Sequence, residues 1–139
     1  MPRYLSYFFI LTFITTSIAA KVVVITGATS QIKMSESEIF KIYSGIPIFH
    51  NKKHITAIHQ KDFTIRQAFL EQLYGSNKRS LRATQALRTS YSGRLSHLVL
   101  NMKDDRQVIE YVTNQPQYIG YIDEENVDLS KVKVIYRFS

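Results

Sequence analysis

Hydrophobic positions along this chain fall into two kinds of block. Short β-branched runs predict strands, and apolar residues recurring every three or four positions predict helices. The first strand is expected over Lys21-Val-Val-Val-Ile25, followed by a loop at Thr26-Gly-Ala-Thr-Ser30. Ser35-Glu-Ser-Glu38 has the form of a capping box, and Ile39, Phe40, Ile42 and Tyr43 give the helix behind it an apolar face. Gly45, able to take a left-handed conformation, is placed to end that helix. Pro47 to Lys53 reads as a polar turn region, and Ile55 to His59 as a second strand. A helix capped by Thr64 or Asp62 follows, with Ile65, Ala68, Phe69 and Leu73 at helical spacing up to Gly75.

Further on, Ser80 is placed to cap a helix from Leu81 to about Ser90, which Ser92-Gly93 breaks. Asp104-Asp105 opens another, with carboxylates at its positive end and Val108, Ile109 and Val112 on one face. Strands are expected at Tyr118–Ile122 and Val132–Tyr136. This alternation implies an α/β architecture, with a mixed, mostly parallel sheet flanked by helices.

The first twenty residues stand apart. Arg3 precedes an apolar run from Leu5 to Ile18, and Ser17-Ile-Ala19 puts small residues where a signal peptidase cuts. The run is short for a membrane span and interrupted by hydroxyl residues, so a cleaved signal is favoured over a retained anchor. Residues 1–20 are therefore read as a signal peptide and 21–139 as one domain, of ordinary length for a single core. The expected location is the periplasm, with no membrane contact after cleavage. The chain has no cysteine, which removes a disulfide framework and thiolate chemistry.

Lys and Arg number 18 against 11 acidic residues, a net charge of +7. The excess is concentrated: from Gln72 to Lys103 the chain carries Lys78, Arg79, Arg82, Arg88, Arg94 and Lys103 and no acid. A basic surface attracts anions, although a solvated basic face is the plainer explanation. An exported chain without a recognisable nucleic-acid motif is not expected to bind nucleic acid.

Val22-Val-Val-Ile-Thr-Gly27 resembles the opening of a dinucleotide-binding unit, but the later glycines of that fingerprint are replaced by Gln31 and Lys33. His50, His54 and His59 follow no established metal-ligand spacing, so no metal is expected. No nucleophile elbow, triad order or carboxylate pair is present, so neither an enzyme nor a cofactor is expected. The most informative segment runs from His59 to Phe69. A strand passing through a short turn into a helix points unpaired amides at whatever lies above, which favours an anion. Thr64 would add a hydroxyl, and Arg66 or Lys61 a charge.

Four segments in order carry a family resemblance: Ser35-Glu-Ser-Glu-Ile-Phe-Lys-Ile-Tyr-Ser-Gly45, Ile55 to Phe69 with Arg66 and Phe69 in register, Ser90-Tyr-Ser-Gly93, and Pro116-Gln-Tyr-Ile-Gly-Tyr121. Together the chain resembles short proteins related to the phosphate-binding proteins of ABC uptake systems, which have the type 2 periplasmic-binding fold. The resemblance implies a single lobe of that fold and contact with phosphate or a similar oxyanion. The larger family carries Ser-Gly-Thr at the turn where this chain has Phe63-Thr64-Ile65. A phosphate-contacting arginine of that family falls on His59.

The expected ligand-binding residues are thus His59, Thr64, Arg66, Ser92, Gly93 and Arg94. The expected function is that of an exported solute-binding-like protein taking phosphate or a related oxyanion weakly. The alternative is a periplasmic interaction module that keeps the fold without the solute, meeting an acidic protein or a second copy as a homodimer.

Overall fold

The structure, a computed structural model, describes residues 20–75 and 99–138. The expected signal peptide up to residue 19, the helix expected from Leu81, and Ser92, Gly93 and Arg94 lie outside the described residues. Strand β1 spans Val22–Gly27, every residue of it buried. It runs two residues further than the β-branched pattern suggested, because Thr26 still pairs with both neighbouring strands and Gly27 with β7. Helix α1 (Glu36–Tyr43) starts at the Ser35/Glu38 capping box, with both reciprocal bonds formed. It closes on Gly45 at φ 93°, where the amide of Ile46 reaches back to the carbonyl of Lys41.

The segment read as a polar turn is instead a small hairpin, β2 (Phe49–His50) and β3 (Lys53–His54). Its two-residue loop, Asn51 and Lys52, lies at positive φ, the geometry whose twist matches a tight hairpin. Strand β4 (Thr56–Gln60) leads into α2 (Phe63–Tyr74), which ends at Gly75. After the undescribed segment come β5 (Val99–Met102), α3 (Asp105–Asn114), β6 (Tyr118–Asp123) and β7 (Val132–Arg137). The sequence pattern had not marked β5.

The main sheet has the order β5-β4-β6-β1-β7. It is mixed, as expected, and divides evenly: β4 runs parallel to β5 and β6, while β1 runs antiparallel to β6 and β7. Helix crossovers between β4, β5 and β6 impose the parallel pairs. Residues 124–131 carry the chain from the end of β6 back across the α3 side of the sheet to the start of β7, and β1 fits between these two strands with Val22 opposite Asp123 and Gly27 opposite Val132.

Alternate residues of β1 serve opposite faces. Val22 and Val24 join Ile39, Ile42, Tyr43, Phe69 and Tyr121 beneath α1 and α2. Val23 and Ile25 join Ile58, Val108, Val112 and Ile122 beneath α3. Gly27 and Gly120 let α3 lie close: a Cβ on Gly120 would stand 2.5 Å from Val108 Cγ1, and one on Gly27 2.5 Å from the Val112 carbonyl oxygen. The two helical layers therefore sit on opposite sides of one sheet, and the strand ends between them become the place to look for a site.

Candidate functional site

Strands β4, β5 and β6 end at the same edge of the sheet. The chain leaving β4 turns onto the face of α2, whereas β5 is followed by α3 on the other face. Val127, just past β6, also packs on the α3 side. Opposite departures of this kind open a crevice at the carboxyl ends of the strands, where α/β sheets commonly receive ligands.

One wall of the crevice is the turn Lys61-Asp62 and the first turn of α2. Asp62 is the N-cap, and its Oδ1 accepts from the Ile65 amide at 3.3 Å. Of the two residues weighed from sequence, Thr64 is therefore not the cap; it sits in the first helical turn, exposed to solvent. The amides of Phe63 and Thr64, the Thr64 hydroxyl and the Lys61 ammonium make no hydrogen bond or ion pair among the described residues. Two free amides, a hydroxyl and an ammonium are what an anion needs. The Asp62 carboxylate beside them opposes one. A cleft of about 520 Å³ reaches Thr64 and Ile65 from the side of Ala20 and Lys21, and its far wall is acidic: Asp123, Glu124 and Glu125. Glu124 is paired with Arg137.

Of the other expected residues, the two that are described, His59 and Arg66, are not gathered at this point. His59 is 2% exposed, boxed by the rings of Tyr43, Phe69 and Tyr121 at 4.9, 6.3 and 5.6 Å. Its Nδ1 lies 2.9 Å from the Tyr121 hydroxyl, which also accepts from the Gln60 amide at 3.2 Å. His59 thus lies behind the site, in the core under α2. Arg66 is half-buried on α2 and does not line the Thr64 cleft.

Across the crevice the structure assembles a group that sequence reasoning did not single out. The Asp105 carboxylate accepts from Gln60 Nε2 at 2.7 Å on one oxygen. On the other it accepts from the Asp123 amide at 3.1 Å and Asn126 Nδ2 at 2.8 Å. Gln60 is fully buried; its Nε2 also donates to the Tyr121 carbonyl at 2.8 Å, while its Oε1 has no partner among the described residues. An unpaired buried acceptor costs about 1–3 kcal/mol, so the amide orientation is set by its two acceptors. Asp105 and Asn126 also line a groove of about 600 Å³, shared with Arg106, Ile109, Glu110, Thr113, Asn114, Asp128 and Lys131. On its rim the hydroxyl and amide of Ser130, with a lesser pull from Lys131, hold the Asp128 carboxyl below its ordinary range. The only advance signal of the Asp105 group was the Asp104-Asp105 pair, which reads as helix capping alone.

Among the described residues no cluster of His, Asp or Glu is arranged to hold a metal, and no helix is long and apolar enough to cross a membrane. No family model matches the sequence, and no curated protein matches it. Solved structures do. The chain superposes on an ABC-type phosphate transport receptor from Vibrio cholerae with a TM-score of 0.61 and 16% identity, over 84% of this chain and 45% of that one. It superposes equally on a protein assigned as a phosphate ABC transporter substrate-binding protein from Clostridium perfringens, solved with bound phosphate. That match has a TM-score of 0.62 and 21% identity, over 84% of this chain and 44% of the other. The chain thus spans less than half the length of either neighbour. What the likeness establishes is the architecture: this chain has the fold of a phosphate-transport substrate-binding protein over about one lobe of it.

Proposed function

We propose that the protein is an exported, periplasmic relative of the solute-binding proteins that contacts phosphate or a similar oxyanion weakly at the first turn of α2. One observation carries this reading. Among the described residues, the amides of Phe63 and Thr64, the Thr64 hydroxyl and the Lys61 ammonium have no partner at the carboxyl end of β4, where this fold opens a crevice. The two phosphate-transport neighbours support it by fold. Weakness follows from Asp62, whose carboxylate already occupies the positive end of the helix. It also follows from the single-lobe extent, since tight solute capture in such folds comes from closing two lobes. Arg66 and the undescribed Ser92-Gly93-Arg94 segment remain proposed contributors of charge.

A thermal-shift titration of the purified protein with phosphate, then sulfate, tests this. Ligand at a hundred-fold excess over its dissociation constant adds about 2.7 kcal/mol. A saturable shift that Thr64→Ala diminishes is expected. Asp62→Ser, which keeps a capping oxygen and removes the charge, should enlarge it. A titration flat in the wild type and in Asp62→Ser would overturn the reading. It would turn attention to the interaction module, which the 77% exposed Phe63 beside this turn favours.

A further inference from the structure

Two adjacent acids open α3, and they divide the work. Asp104 is the cap, its Oδ1 accepting from the Gln107 amide at 3.1 Å. Asp105, one residue on, gives its carboxylate to no donor of its own helix. Its three donors come from elsewhere: the Gln60 side chain at the end of β4, the Asp123 backbone at the end of β6, and the Asn126 side chain just beyond. One is a backbone N–H and two are amide N–H groups, and they converge on two carboxylate oxygens. Gln60 holds its donor there while its own buried Oε1 has no partner among the described residues. A chain needing only a helix start has that from Asp104.

We infer that the space between the carboxyl ends of β4 and β6 is a carboxylate-binding site whose resident ligand is the protein's own Asp105. The site uses different donors from the Thr64 turn, so it goes beyond the function proposed above and stands or falls separately. The ligand class is a small carboxylate or a similarly shaped oxyanion, because the donors are neutral and matched to two oxygens. The approach is the groove of about 600 Å³ lined by Asp105 and Asn126, along which the charges of Arg106 and Lys131 are balanced by Glu110 and Asp128, so a small ligand is favoured over a highly charged one. An outside anion must displace the Asp105 side chain, so the site is closed in the resting protein. The tethered carboxylate competes at a high effective concentration.

Removing the tethered ligand and supplying a free one tests the inference. Asp105→Gly leaves the three donors facing a vacated carboxylate position. With formate as the probe, thermal unfolding of Asp105→Gly should rise saturably by several degrees, while the wild type shows no saturable rise. The Asp123 amide resonance in a ¹⁵N spectrum of the variant should move along the same binding curve. Asp105→Ser carries the same comparison should Asp105→Gly fail to fold in buffer and in formate. An Asp105 variant with no formate-dependent gain over the wild type, or an Asp123 amide indifferent to formate, would overturn the site. In that case Asp105 is a structural tie. Phosphate binding lost in Thr64→Ala would be untouched by that result, which separates the two readings.

Discussion

Placing a methyl group on Gly120 tests how α3 is held against the sheet. The added Cβ would stand 2.5 Å from Val108 Cγ1, with Ile58 Cβ at 3.5 Å and Val112 Cγ1 at 3.8 Å on its other sides. Carbon atoms pack comfortably at about 3.5–4.0 Å, so Val108 or the helix beneath it must give by about 1 Å. Val108 is fully buried and, being β-branched in a helix, is confined largely to one rotamer. Overpacking of this kind costs about 1–3 kcal/mol, a fall in melting temperature of about 5–10 °C for a domain of this size. Val108→Ala alone should cost about 2 kcal/mol through lost burial and the cavity it leaves.

The pair together should cost less than the sum, since the truncated side chain vacates the space the methyl needs. A coupling of about 1 kcal/mol or more is expected, measured by urea unfolding of the four proteins in the cycle. Gly27→Ala provides the contrast. Its Cβ would meet the Val112 carbonyl oxygen at 2.5 Å, a backbone atom that no side-chain truncation removes. Val112→Ala should therefore fail to rescue Gly27→Ala. A Gly120→Ala protein within about 0.5 kcal/mol of the wild type, or strict additivity with Val108→Ala, would refute the close-packing argument.

Two smaller perturbations address the helix start and the alkaline limb. Asp62→Ala removes the N-cap of α2 and should cost about 1 kcal/mol in chemical denaturation, whereas Asp62→Ser should cost only a few tenths. The hydrogen bond from the Tyr136 hydroxyl to Glu36, 2.7 Å long, raises the Tyr136 pKa above its ordinary value of 10.0. Its contribution is then fully present below pH 10 and is lost as pH rises through the raised value. Tyr136→Phe should flatten that part of the stability profile. The bond lies at the surface, so the effect is small, and an unchanged profile would count against it.

Helix starts were the most legible part of this chain because capping is local chemistry. Ser35 with Glu38, Asp62 and Asp104 each carry a side chain that satisfies amides within three residues. The β2–β3 hairpin was not legible because its turn puts a lysine, Lys52, at φ 64° where glycine is the usual signal. Val99–Met102 is four residues long, too short for a pattern to stand out. The antiparallel seat of β1 between β6 and β7 depends on pairings across the whole chain, which no local pattern encodes. The site divides the same way. The turn at Asp62–Thr64 was visible as a strand-to-helix junction. His59 looked polar and available because its aromatic box is built from Tyr43, Phe69 and Tyr121, three separate elements. Asp105 looked like half of a capping pair because its donors lie on β4 and beyond the start of β6.

The position of β1 also sets an order of events. Its partners begin nearly a hundred residues later, with Val22 opposite Asp123 and Val24 opposite Tyr136. The most apolar strand of the domain is therefore the earliest made and among the last to be paired. Contacts of such long sequence separation form slowly, and until β6 and β7 emerge Val22 to Ile25 have no sheet to join. A chain in that condition exposes an unpaired apolar strand, which makes it prone to associate. The sheet therefore closes only when strands nearly a hundred residues apart meet, so its folding barrier is set by the closure of one long loop.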